Sequence, residues 1–141
     1  MIVLDTNVVS EMVSPRPSSS VLHYLHRLDP GQTYLTAITA AELLTGCAVL
    51  PPGKRRSELA MRIEALLQND FAQQILVFDA EAAHHYAEVS ARRRALGRPL
   101  SLFDGLILAI ARAKGATIVT RNVRDFEFCD VPLVNPWELP G

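Results

Sequence analysis

Three acidic residues stand where the hydrophobic pattern places helix starts. Asp5 ends the apolar, β-branched run Ile2-Val3-Leu4, which reads as a buried strand of a parallel sheet. Glu42 closes Thr39-Ala40-Ala41-Glu42, which has the S/T-x-x-E spacing of a capping box and follows a second strand over Thr33–Thr36. Asp104 closes Ser101-Leu102-Phe103-Asp104, a similar start with Asp in place of Glu. Taken one at a time, each is a helix cap contributing about 0.5–2 kcal/mol. Taken together they allow more, because right-handed crossovers bring successive strand ends to a common edge. There the carboxylates can converge, and clustered like charges oppose folding unless a cation neutralises them. Hard oxygen donors without a nearby His or Cys suit Mg²⁺ or Mn²⁺ rather than zinc. An ion held in this way activates water and stabilises charge during in-line attack on a phosphodiester.

Three basic groups have the chemistry to meet a phosphate backbone: Lys54-Arg55-Arg56, Arg92-Arg93-Arg94 with Arg98, and Arg121 with Arg124. The arginine run at 92–94 reads first as a solvated helix face. Arg121 and Arg124 flank the proposed acidic pocket, which gives them the stronger claim. His23, His26, His84 and His85 fall on expected helices far from the acids and read as surface or packing residues. Cys47 and Cys129 lack metal-type spacing, so reduced thiols are expected. Trp137 reads as a packing anchor.

The elements that must position these groups alternate. Helices are expected over Thr6 to about Met12, from Ser18–Ser20 through Leu28, from Thr39 to Leu50, and from Lys54 to about Asn69. Strands are expected at Ile75–Phe78 and Thr117–Thr120, with an edge strand in Asp130–Asn135 where Pro132 is tolerable. Asp79 opens a helix over Ala80–Leu96 that Gly97 ends, and Gly105–Lys114, apolar on almost every side, ends at Gly115. The expected fold is a three-layer α/β/α sandwich around a mainly parallel sheet of about five strands. With 141 residues, the chain fits a single domain over 1–141. The formal net charge of −1 excludes a global electrostatic footprint for nucleic acid, so any such binding rests on local patches. The sequence shows neither a signal-peptide pattern nor an apolar run of the roughly 18 residues that span a bilayer, which predicts a cytoplasmic protein without membrane contact.

Four stretches together resemble one family: the N-terminal LDTN with Asp5, Glu42 in TAAEL, Asp104 in FDGLILAIA, and the Thr-Arg-Asn of VTRN. In this order they are similar to the PIN-domain family, particularly VapC-type toxin ribonucleases of bacterial toxin–antitoxin pairs and their FitB-like branch. The likeness runs from Met1 to Asn135-Pro136-Trp137. It implies a PIN-like fold and a Mg²⁺- or Mn²⁺-dependent endoribonuclease leaving 5′-phosphate and 3′-hydroxyl ends. Asp5 and Asp104 match direct metal ligands, and Glu42 matches the acid that holds the metal directly or through water. Thr6, Asn7 and Thr120 match small polar side chains that order that shell. Asn122 stands where many relatives carry a fourth acid, and Asp125, three residues on, is the candidate to replace it. Arg121, Arg124, Lys54, Arg55 and Arg56 are the candidate RNA-binding residues. The same likeness implies a homodimer and a cognate small antitoxin of ribbon-helix-helix or similar DNA-binding type. Such a partner inserts a basic side chain among the acids, where a guanidinium pairs strongly with carboxylates. Apolar residues near Val8, Val9 and Met12, and on the helix from Lys54 to Asn69, are candidate contacts with it; their simpler role is core packing.

The alternative reading is a catalytically degenerate PIN-like module that holds RNA or a protein partner, supported by Asn122. A phosphatase of haloacid-dehalogenase type requires a second Asp two residues after the first, and Asn7 occupies that position.

Overall fold

In the computed structural model, which describes residues 1–139, five short and largely apolar strands build one sheet. The strands β1 (Ile2–Leu4), β2 (Thr33–Thr36), β3 (Ile75–Leu76), β4 (Thr117–Val119) and β5 (Leu133–Val134) lie in the order β3-β2-β1-β4-β5. Every neighbouring pair is parallel, so the sheet is wholly rather than mainly so. Successive side chains of a strand point to opposite faces. Leu4, Leu35 and Val119 enter one core and Val3 and Ile118 the other. The first face is covered by α1 (Thr6–Val13), α2 (Ser19–His26), α3 (Ala37–Ala48) and α4 (Lys54–Ala65). The second is covered by α5 (Ala80–Ala95) and α6 (Leu102–Ala113). This is the expected α/β/α sandwich.

Helix α6 buries Gly105 and the run Ile107–Ala111, as its nearly all-apolar composition requires. Its packing on α5 is close: a Cβ on Gly105 would stand 2.9 Å from the Tyr86 ring. Gly115 ends the helix at φ 64°, a conformation that favours glycine. After β1 the chain builds outward through β2 to β3, then returns to add β4 on the other side of β1. The order therefore reverses between β1 and β4, and ligands of open parallel sheets bind beyond the strand ends at such a switch point.

Several boundaries differ from the sequence expectation. The N-cap of α3 is Thr36, whose hydroxyl accepts from Thr39 N–H; Thr39 lies inside the helix and Glu42 in its second turn, not in a capping box. Helix α6 starts at Leu102, one residue after its Ser101 cap, rather than at Gly105. The third strand stops at Leu76, and Val77 and Phe78 turn outward. Helix α4 is regular only to Ala65, and Leu66–Asp70 continues it as a wider π turn. The edge strand contracts to Leu133–Val134. Val8 and Val9 are fully buried, so their role is core packing and not partner contact.

Candidate active site at the switch point

Asp5 follows β1 and Thr120 follows β4, which places both at the gap where the strand order reverses. The backbone N–H of Asp5 continues the ladder to Val119 O at 2.9 Å, so the carboxylate stands on the sheet itself. Its Oδ1 accepts from Thr6 N–H at 2.8 Å. Its Oδ2 accepts from Thr120 Oγ1 at 2.7 Å and from Asn7 Nδ2 at 3.2 Å. Thr120 Oγ1 in turn accepts from Asn122 N–H at 3.0 Å, and Asn7 Oδ1 accepts from Arg121 N–H at 3.2 Å. Asp5 is only 4 % exposed. Burial pushes its pKa up to about 6 against the opposing hydrogen bonds from Thr120 and Thr6, and the charges of Asp104 and Glu42 push the same way.

Glu42 reaches the pocket from the α1–α4 layer. Thr6 Oγ1 donates to Glu42 Oε1 at 2.7 Å, which uses its only proton. The 2.9 Å contact between Thr39 Oγ1 and Thr6 Oγ1 is then donated by Thr39, and Thr36 Oγ1 donates to Thr39 at 3.5 Å. The hydroxyls thus form a chain that ends on the carboxylate. Thr36 and Thr39 are fully buried and were not anticipated as site residues. Their signal was the Thr-Ala-Ile-Thr run at the end of β2, where an N-cap fits as well as at Thr39.

Asp104 arrives from the opposite layer, in the first turn of α6. Ser101 Oγ accepts from Asp104 N–H at 3.4 Å. Burial raises the Asp104 pKa; a hydrogen bond from Ser101 opposes this, the Asp125 anion adds to it, and the Arg93 cation lowers it. Asp125 is therefore close enough to act on the pocket, whereas the neighbouring Asn122 is held through its backbone and exposes its side chain. The acids thus reach the switch point from three directions.

The donor set consists of carboxylate, hydroxyl and amide oxygens, the ligands of hard cations. Among the described residues no three acidic, His or Cys side chains stand ready to hold one ion. Mg²⁺ is usually bound through one or two carboxylates with several waters retained, so it needs fewer protein ligands than a closed cage. A buried carboxyl whose ionisation is opposed by two anions is also where a cation has most to offset.

The basic groups divide. Lys54 and Arg55 rim a groove of about 760 Å³ between α1, α3 and α4, which ends at Thr6 and Glu42. Arg56 stands partly buried beside it, its carbonyl accepting from the Cys47 thiol. Arg121 and Arg124 line a smaller cavity of about 390 Å³ with Asn122, Asp125 and Asn135. The run at 92–94 is a solvated face only at Arg94, which is exposed. Arg93 is 4 % exposed and donates to the carbonyls of Arg98, Asp125 and Glu127 at 2.7, 2.9 and 3.2 Å, while Arg92 pairs with Asp130 at 2.8 Å. Of the histidines, His23, His26 and His84 are exposed and His85 contacts Arg112 at 3.0 Å, away from the acids.

Residues 2–132 match the PIN domain family. The chain is 39 % identical over 138 residues to the VapC ribonuclease Y4jK of Sinorhizobium fredii, covering 98 % of this chain and 99 % of that protein. It is 39 % identical over 137 residues to toxin FitB of Neisseria gonorrhoeae, covering 97 % and 99 %. A solved structure of FitAB bound to a DNA fragment superposes with a TM-score of 0.92 at 38 % identity, covering 100 % of this chain and 99 % of that one. With residues 2–132 matched by the family and relatives 39 % identical over nearly the whole chain, the chain belongs to the PIN-domain family, among its VapC- and FitB-type members.

Proposed function

We propose that the chain is the toxin of a toxin–antitoxin pair, an endoribonuclease that uses Mg²⁺ or Mn²⁺ to hydrolyse RNA phosphodiester bonds. The observation that carries this reading is the buried Asp5 carboxyl, held by Thr120, Asn7 and Thr6 and flanked by the charges of Asp104 and Glu42. Asp5 and Asp104 would hold the divalent ion, which supplies an acidified water and a positive charge against the scissile phosphate. Thr120 and Asn7 fix the Asp5 carboxylate, so little reorganisation accompanies charge development. Glu42, oriented by the chain from Thr36 through Thr39 and Thr6, would accept a proton from the attacking water. Asn122 and Asp125 lie at the outer side of the pocket, with Asp125 supplying the negative charge that Asn122 lacks. Asp5→Asn is expected to abolish RNA cleavage and growth inhibition while keeping the fold. Undiminished metal-dependent cleavage by that variant would reject the role given to Asp5.

The likeness to FitB and to the DNA-bound FitAB structure supports a small DNA-binding antitoxin as partner, and the family likeness a homodimer. The groove between α1, α3 and α4 suits a segment of that antitoxin. Its floor includes Val13, Leu43, Leu59 and Ile63, and its inner end opens on Glu42, where an inserted guanidinium meets carboxylate. The exposed Asn122 favours a second reading, a module that binds without cutting. Calorimetric titration with Mn²⁺ separates the two, since absence of binding at millimolar metal would support the module.

A further inference from the structure

Arg121 directly follows Thr120, the residue that holds Asp5, and its backbone is fixed from two sides. Its N–H donates to Asn7 Oδ1 at 3.2 Å, inside the acidic site. Its carbonyl accepts from Asn135 Nδ2 at 3.3 Å, beyond β5. Asn135 Oδ1 meanwhile accepts from Trp137 N–H at 2.9 Å, which folds the chain back so that the indole lies beneath the guanidinium. The Arg121 Cζ stands 5.0 Å from the centre of the Trp137 ring, a cation–π stack. The residue itself is exposed and forms no ion pair among the described residues. An exposed arginine normally spends its conformational freedom on whatever ligand it binds. This one is ordered in advance by stacking, and although Asp125 and Glu138 line the same cavity, it pairs with neither.

We propose that Arg121 grips the RNA phosphate next to the cleaved one, and that Trp137 and Asn135 are positioning residues that hold its guanidinium there. Stacking on the indole leaves the guanidinium N–H edge free for phosphate oxygens. The anchor explains the turn at Asn135-Pro136-Trp137: it spends both ends of one amide side chain on setting the position of one arginine. The acids can then act on a strand already in register, which separates binding from chemistry.

The inference rests on the ribonuclease reading, and its test keeps the two apart. Affinity for a fluorescein-labelled single-stranded oligoribonucleotide is measured by anisotropy against NaCl in EDTA, and cleavage of the same RNA is measured with Mg²⁺. Arg121→Gln is expected to weaken binding and raise KM about five- to tenfold with kcat within about twofold. The slope of log affinity against log salt falls by about 0.7, the loss of one phosphate contact on a single strand. Trp137→Leu, which keeps an apolar side chain but removes the π face, raises KM about two- to fourfold, and Trp137→Phe restores it. Trp137 is the only tryptophan, so its emission should change when RNA binds, and less so in Arg121→Gln. An unchanged salt slope in Arg121→Gln, or Leu and Phe variants equal to the original protein in KM with only a lower Tm, overturns the inference alone. If the unsubstituted protein neither binds nor cuts RNA, both readings fall.

Discussion

A carboxylate that only caps a helix accepts from the second or third helical N–H. Asp5 accepts instead from Thr6, the first residue of α1, and turns its other oxygen across to Thr120 on the neighbouring strand. It is buried at the expense of its own ionisation, which makes its contribution to stability depend on pH in a definite direction. Its folded pKa of about 6 lies above the ordinary 3.8, so the unfolded chain releases the proton first. The stability from Asp5 is complete below about pH 4 and is lost as pH rises through about 6. The full loss is about 3 kcal/mol by linkage. In metal-free urea unfolding, the stability of the original protein relative to Asp5→Asn should therefore fall between pH 4 and 7. A difference that rises over that window would mean that Asp5 is a structural ion-pair partner. The same scale decides the outer acid: Asp125→Asn should weaken Mn²⁺ binding severalfold in calorimetry, and Asn122→Ala much less, because the Asp125 charge already bears on Asp104.

Helix α3 carries Glu42 into the pocket by starting earlier than its capping-box spacing suggests. Thr36 caps it, which leaves Thr39 free to pass its hydroxyl proton to Thr6. Thr39→Val keeps the shape but deprives the buried Thr36 hydroxyl and the half-buried Thr6 hydroxyl of a partner; urea unfolding should report a loss of about 1–3 kcal/mol. Rescue by Thr39→Ser would assign the loss to the hydroxyl rather than to packing. Helix α5 shows a comparable hidden role. Ala82, Tyr86, Val89 and Arg93 recur at helical spacing along one stripe, so the phase of the helix selects Arg93 from three consecutive arginines as the inward one. The run read by charge alone predicts solvation, whereas the same run read by phase predicts burial. Arg93→Lys loses the fork that reaches the carbonyls of Arg98, Asp125 and Glu127 at once. Its unfolding free energy, measured in urea, should fall by about 2 kcal/mol, because two of those carbonyls are left without a donor.

At the scale of the whole molecule, the strand and helix order was legible because strands of two to four residues still stand out as apolar, β-branched runs and the helices still mark their starts with Thr, Asp and Ser. Asp5 and Asp104 were legible as strand-end and helix-start acids. The Thr36–Thr39–Thr6 chain and the Arg121–Trp137 stack were not, because they join segments whose contact depends on the completed sheet. That sheet also sets the last expectation. Asp5 directly follows β1, Glu42 comes from the α1–α4 layer and Asp104 from the α5–α6 layer, so an ion shared by Asp5 and Asp104 would tie a helical layer to the sheet edge. Binding to the folded state alone stabilises it by RT ln(1 + [L]/Kd), about 2.7 kcal/mol at a hundredfold excess over Kd. Excess Mn²⁺ at pH 7.5 should therefore raise Tm by several degrees. At pH 5 the rise should shrink, since Asp5 is then mostly protonated and the metal must displace that proton. Asp104→Asn should lose most of the rise at either pH while remaining folded in far-UV circular dichroism. Equal Mn²⁺ shifts in Asp104→Asn and the original protein would place the ion elsewhere and leave Asp104 a helix-start residue of α6.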